Sequence, residues 1–352
     1  MRILIWHVHG GWTDAFVQGG HDYLFPTEPG RGPWGLGRGG RDWPATALEI
    51  APEALRDEDV DVVVLQRLGE LERAERLLGR RLGTDVPAVF LEHNTPKPHA
   101  VTTRHPFGDR SDIPIVHVTH FNELVWDNGD APTIVIEHGI RDPGHRYTGS
   151  LERMAVVVNE PVRRWRITGS DLLPRFARAG GIDVFGMGVD ALPTALGPGH
   201  EGIAPMGDLS PQELHTALAE RRIYLHLARW TSLGLSLLEA MHLGLPVVAL
   251  QTTEAARAVP PGAGFLSTSV DELVAAARLL LEDPDAAARF GAAARDAARE
   301  RYGLERFLRD WDTLFADLVE RPRRTGRRIA QDVPVPAGPT IGRSTDAYRH
   351  DL

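Results

Sequence analysis

The chain has 352 residues, 42% hydrophobic and 25% charged, the balance of a globular protein with room for about two domains. Its net charge of −9 argues against general nucleic-acid binding, which needs a positive field. The absence of cysteine excludes disulfides, cysteine-ligated zinc, iron–sulfur clusters and thiol catalysis together, and no apolar run reaches the ~18 residues of a membrane span. The chain opens directly on a strand pattern without a charged leader, so a cytoplasmic location is expected; peripheral contact with a membrane surface stays compatible with the sequence. Of the 39 basic residues only Lys97 is lysine, a bias that reads as base composition and lowers the weight of any arginine cluster.

Short apolar runs alternate with helical patterns, which points to parallel α/β construction. In the first half, strands are expected at 2–8, 60–65, 88–92, 115–118 and 133–136, each rich in Val, Ile and Leu as strands covered on both faces are. Between the first two lies a Gly/Pro-rich span, 26–44, too long for an ordinary connection and expected to be a mobile lid over an acceptor site or simply disordered. The second half repeats the pattern with strands at 154–158, 183–186, 223–227 and 246–250. Its helices carry start signals: Ser210-Pro211 with Glu213, Ser269 with Glu272, and Asp283-Pro284. Phe307, Leu308, Trp311, Leu314, Phe315 and Leu318 recur at helical spacing, so a last helix with one apolar face is expected. From 321 to 352 the chain is Pro-, Gly- and Arg-rich without periodicity, and a disordered tail is expected.

The most informative stretch is 231–249. Thr231, Ser232, Leu233 and Gly234 read as a loop, followed by a helix ending at Gly244 and a buried strand from Pro246. A loop feeding a helix N-terminus aims unpaired backbone N–H groups at one spot, which suits a phosphate or a sugar hydroxyl. Glu239 projects from the same helix and could grip a ribose diol; the bland alternative is a capping box from Ser236 to Glu239.

Gly234-Leu235, Glu239-Ala240-Met241, Gly244 and Pro246-Val247-Val248 resemble, in register, the donor-site signature of retaining glycosyltransferases of the two-Rossmann (GT-B) type, the GT4-like family known as glycosyl transferases group 1. The resemblance departs at Thr231, where the family has a glutamate that contacts the transferred sugar. It implies two doubly wound Rossmann-like domains facing across a cleft: an acceptor-side domain at 1–145, a donor-side domain at 146–303, and a helix at 304–320 crossing back to the first domain. Ligands in such folds bind at the carboxyl ends of the strands.

By that resemblance Glu239 inherits the nucleotide ribose, and Thr231, Ser232, Leu233 and Gly234 form the donor loop. Arg163, Arg164 and Arg166 are the nearest equivalents of the family's diphosphate clamp, since guanidinium groups bind phosphate bidentately. Gly186 and Gly188 resemble a Gly-x-Gly turn near the nucleobase, although turns need glycine for ordinary conformational reasons. Thr253 and Glu254 are further donor contacts or helix caps. Gly10 and Gly11, with His9, match a double-glycine loop near the phosphates and acceptor; His7 and His9 are expected on one face. His93 is the first domain's best candidate for the reaction centre, with turn chemistry as its alternative. Glu137-His138-Gly139-Ile140 matches a hinge element, and His117 and His120 belong to the acceptor side.

The function expected is transfer of a hexose from a nucleotide diphosphate sugar to a small-molecule, lipid or glycan acceptor, with retention and without metal or resident cofactor. Two other readings fit the same architecture: a non-catalytic homologue serving as a partner or scaffold subunit, and a sugar-nucleotide epimerase.

Overall fold

A computed structural model describes residues 1–320; the tail expected at 321–352 lies outside the described residues. The strands are β1 Arg2–Ile5, β2 Asp22–Pro26, β3 Ala47–Ile50, β4 Val62–Leu65, β5 Ala88–Glu92, β6 Ile115–His117, β7 Thr133–Val135, β8 Leu151–Val157, β9 Gly181–Phe185, β10 Ile203–Pro205, β11 Arg221–His226, β12 Val247–Leu250 and β13 Gly264–Ser267. The α-helices are α1 Gly10–Phe16, α2 Gly69–Leu78, α3 His120–Val125, α4 Trp165–Thr168, α5 Leu173–Phe176, α6 Leu192–Leu196, α7 Pro211–Glu220, α8 Leu235–Leu243, α9 Ala255–Ala258, α10 Val270–Glu282, α11 Pro284–Tyr302 and α12 Leu304–Glu320.

The strands form two parallel sheets, in the orders β3-β2-β1-β4-β5-β6-β7 and β10-β9-β8-β11-β12-β13. Val62–Leu65, Ala88–Glu92 and Val247–Leu250 are buried at every residue, as continuous apolar runs covered on both faces should be. Both sheets reverse their order beside the first strand of each lobe, β1 and β8, and there the carboxyl ends open a crevice. The two parallel-sheet lobes are the architecture expected from the sequence.

Local signals explain the helix ends. Ser210 Oγ accepts from the Glu213 N–H while the Glu213 carboxylate accepts from the Ser210 N–H, a complete capping box. Ser269 caps α10, but Glu272 turns its carboxylate to the Ser267 hydroxyl, so that box is half made. Helix α8 stops at Gly244, whose φ of 97° only glycine adopts freely, and Pro246 prevents its continuation.

Helix α12 carries its apolar stripe onto the first sheet: Phe307, Trp311, Leu314, Phe315 and Leu318 share one core with Ile3, Trp12, Phe16 and Val64. At roughly 1.5–3 kcal/mol per large apolar side chain removed from water, this stripe holds the chain's end on its beginning. Between the lobes, Glu137 pairs with Arg257 and Arg301, and the Glu137 and His138 carbonyls accept from Arg306.

The Gly/Pro-rich span differs from expectation. It joins β2 to β3, and none of its residues lines the cleft described below. Trp34 lies under the guanidinium groups of Arg67 and Arg73, at 4.1 and 4.8 Å, and its carbonyl accepts from the Trp6 indole. Trp43 is buried against Phe25 and His7, and Arg31 binds both oxygens of Glu49. Two aromatic anchors and a bidentate ion pair pack this segment on the sheet edge, so it covers β2 and β3 instead of the cleft.

Candidate active site

A cleft of about 430 Å³ opens between the two sheets, at the carboxyl ends of β1, β5, β8 and β11. Among the described residues its lining contains no Asp or Glu, although the chain has 48 acidic residues. Asp-x-Asp spacings do occur in the sequence, at Asp57 to Asp61, Asp283 to Asp285 and Asp310 to Asp312, and none of them reaches the cleft.

The N-terminal wall is Trp12 with three histidines, His9, His93 and His138. The His9 and His93 rings lie 3.9 Å apart, and Trp12 meets His93 edge-on. Burial, reinforced by His9 and His138, holds His93 well below the ordinary imidazole range, so it is neutral. Its tautomer follows from its neighbours. Gln66 donates its amide N–H to the Trp6 carbonyl, which leaves Oε1 facing His93 Nε2 at 3.1 Å. The His93 proton therefore sits on Nε2, and Nδ1 is left as an acceptor. His138, also pushed down to about 3 by burial, has a buried Nδ1 without a hydrogen-bond partner.

The C-terminal wall is built on β8, β11 and the start of α8. Helix α8 begins at the N-cap Gly234, which offers no side-chain cap. Ser236 does not supply one either, because its Oγ accepts from the Tyr224 hydroxyl at 2.9 Å. The Leu237 N–H donates to the Gly234 carbonyl, which leaves the N–H groups of Leu235 and Ser236 for a ligand or water. Thr231 lines the cleft, and its Oγ1 is buried without a hydrogen-bond partner. Half-buried Arg164, on the loop after β8, forms no ion pair among the described residues, and desolvation followed by the charge of Arg163 lowers its pKa. His226, at the end of β11, is held down to about 4 by burial, and its ring packs on Gly234.

The lobes meet across this cleft. The Trp230 indole donates to the Pro96 carbonyl at 3.4 Å, the Ser232 and Thr119 hydroxyls lie 3.3 Å apart, and Glu254 accepts from the Phe121 N–H at 2.8 Å.

Residues 201–297, which include α8 and β12, match the family model described as Glycosyl transferases group 1. The structure superposes on HepE from Anabaena in complex with UDP-glucose with a TM-score of 0.69 at 15% identity, covering 90% of this chain and 100% of that one. Sucrose-phosphate synthase from Thermosynechococcus elongatus gives a TM-score of 0.67 at 13% identity, covering 90% and 99%. The chain has the GT-B glycosyltransferase fold. TarM shares it with a TM-score of 0.60 at 16% identity over 72% of this chain, which spans only 54% of TarM. Searched against curated proteins, the sequence finds no match.

Within this GT-B frame the residues nominated from sequence separate into three groups. Arg164, Thr231, Ser232, Leu233, Gly234, His9 and His93 come together in the cleft lining. A second group lies beside it. Gly10 and Gly11 form the first turn of α1, not a loop, and a side chain at Gly11 would touch Leu235 across the lobes. Gly186, with φ 122°, lets its turn close on Val158 and Asn159, so Gly186 and Gly188 serve loop packing here. Glu239 lies on α8 beyond the lining residue Ser236, with its carboxylate 3.7 Å from His215 Nε2 on α7.

The third group points elsewhere. Arg163 and Arg166 are largely exposed and pair with Glu160 and Asp171. Thr253 holds a left-handed φ of 48°, and Glu254 is spent on α3. His7 and His9 do not share a face, because β1 ends at Ile5: His7 turns to Trp43 and the Gly37 carbonyl. His117 is buried against Asn128, away from the cleft. Sequence reasoning missed His226, Trp230 and the cleft role of Lys97. His226 ends β11 and Trp230 follows it, and the strand-end rule alone would have found them.

Proposed function

We propose that the protein is a glycosyltransferase that moves a hexose from a nucleotide diphosphate sugar to an acceptor hydroxyl, with retention of configuration and without a divalent metal or resident cofactor. The observation that carries this reading is Arg164: a half-buried guanidinium with no carboxylate partner among the described residues, on the same wall as an uncapped helix N-terminus. A half-buried cation beside free N–H groups favours an anion, and a diphosphate fits both. That HepE is described with UDP-glucose, and TarM with UDP, supports the reading.

As the bond from the anomeric carbon to the diphosphate oxygen breaks, negative charge grows on the phosphate. Arg164 and the free α8 N–H groups stabilise it, and closure of the lobes on the donor would exclude water. The acceptor oxygen forms its bond on the same face, and its proton passes to the departing phosphate oxygen. His93 and His138, neutral, then serve as hydrogen-bond partners of hydroxyls and not as counter-charges. Because no carboxylate lines the cleft, transfer is expected to continue in the presence of a chelator.

One observation favours a second reading. Thr231 puts a hydroxyl where the resembled signature has a charged sugar contact, which suits a non-catalytic partner subunit. Calorimetric titration with UDP, GDP, ADP and dTDP, on the native chain and on Arg164→Met and Glu239→Ala, separates the two. Saturable binding of one diphosphate, weakened about tenfold or more by Arg164→Met, supports the transferase. Well-folded protein that binds none of them leaves the partner subunit.

A further inference from the structure

Among the described residues the positive side chains lining the cleft are two, and they stand on opposite walls: Arg164 on the C-terminal lobe and Lys97 on the N-terminal lobe. We infer that Lys97 is the second cation of the leaving diphosphate, supplied by the acceptor-side lobe, an assignment that rests on the transferase reading above. Arginine fills every other Lys/Arg position of the chain, so Lys97 is its one ammonium side chain. The two side chains differ in kind: an ammonium on a flexible stem follows a single moving oxygen, whereas a guanidinium holds a fixed planar fork.

The backbone sets the position of Lys97. Thr95 and Pro96 are buried, and the Pro96 carbonyl accepts from Trp230 Nε1. Trp230 leads directly through Thr231 to Gly234, the N-cap of α8, so the residue after Pro96 is held beside the loop that delivers the helix N-terminus. Lys97 itself is exposed and forms no ion pair among the described residues. Charge balance agrees. A nucleoside diphosphate leaves with about two or three negative charges, while Arg164 brings one positive charge and the helix N-terminus roughly half of one. Lys97 brings the sum near neutrality in a cleft that holds no carboxylate to compete for it. Since the two cations belong to different lobes, the leaving group is fully neutralised only while contacts such as Trp230–Pro96 and Ser232–Thr119 hold the lobes together.

The test compares Lys97→Met and Lys97→Arg with the native chain by calorimetry, using UDP with UMP, GDP with GMP, ADP with AMP, and dTDP with dTMP. For the base that binds, Lys97→Met should weaken the diphosphate about tenfold while the monophosphate changes by less than about twofold; Lys97→Arg should restore most of the loss. A native chain that binds the diphosphate and a Lys97→Met variant that binds it equally well would overturn the assignment and leave the transferase reading standing. Equal losses for mono- and diphosphate would also overturn it, because Lys97 would then act through the base or through loop structure. If the native chain binds none of the nucleotides, the transferase reading fails and this inference with it.

Discussion

The C-terminal wall of the cleft is made of charge that persists across the working pH range, whereas the N-terminal wall is mostly made of imidazoles that burial keeps neutral. Arg164 and the α8 N–H groups would act by holding negative charge; His9, His93 and His138 can only exchange hydrogen bonds. One wall is suited to a leaving phosphate, and the imidazoles of the other, Lys97 apart, to uncharged hydroxyls. The two also differ in construction. The charged wall comes from one contiguous loop and helix plus one strand-end arginine, while the neutral wall gathers residues from the ends of β1, β5 and β7 around Trp12.

The comparison breaks most severely at Trp12, which lines the cleft and stacks in the core with Phe16, Phe307 and Trp311. Trp12→Ala should cost ~3–5 kcal/mol of unfolding free energy, measured by urea titration, and should loosen the histidine wall with it. Next comes Arg164→Met, for which transfer kinetics should show kcat falling about 10²–10³-fold while the urea midpoint holds, since an unpaired desolvated cation adds little stability.

A pH series sharpens the contrast in a third way. His226 titrates near 6.5 when unfolded and at about 4 in the fold, because burial opposes the imidazolium. Between those values the unfolded chain holds more protons, so stability should fall as the pH drops through that window. His226→Asn should flatten part of that slope in urea midpoints, whereas Arg164→Met should leave its shape unchanged. The smallest effect belongs to Thr231. Thr231→Val removes a buried hydroxyl with no partner, so the melting temperature should hold or rise slightly. The affinity for a sugar nucleotide should fall a few-fold, about the value of one neutral hydrogen bond, while that for the bare nucleoside diphosphate holds.

The charged wall was largely legible in the sequence because its parts are local: Gly234 opens the helix, Gly244 and Pro246 close it, and each has a backbone reason. What the sequence does not carry is side-chain direction. Arg163, Arg164 and Arg166 read alike, and only the turn after β8 decides that Arg164 alone faces inward. Glu239 likewise depends on the rotation of α8 against His215. The neutral wall was legible only at His9 and His93, since its members are far apart in sequence. Strands β2, β3, β10 and β13 went unread for a related reason: they are three to five residues long, and β3, β10 and β13 lie at sheet edges. Such short segments are fixed by pairing with distant strands, not by their own periodicity.

Helix α12 has a consequence for how the protein is made. Its aromatic stripe completes the core under Trp12 and Phe16, yet it is the last described element to leave the ribosome. The N-terminal sheet is complete at Val135 and must wait, its apolar face uncovered, until about 185 further residues, through Glu320, have emerged. The lobe that begins the chain is therefore finished last, and the histidine wall of the cleft acquires its backing only once the rest of the molecule exists.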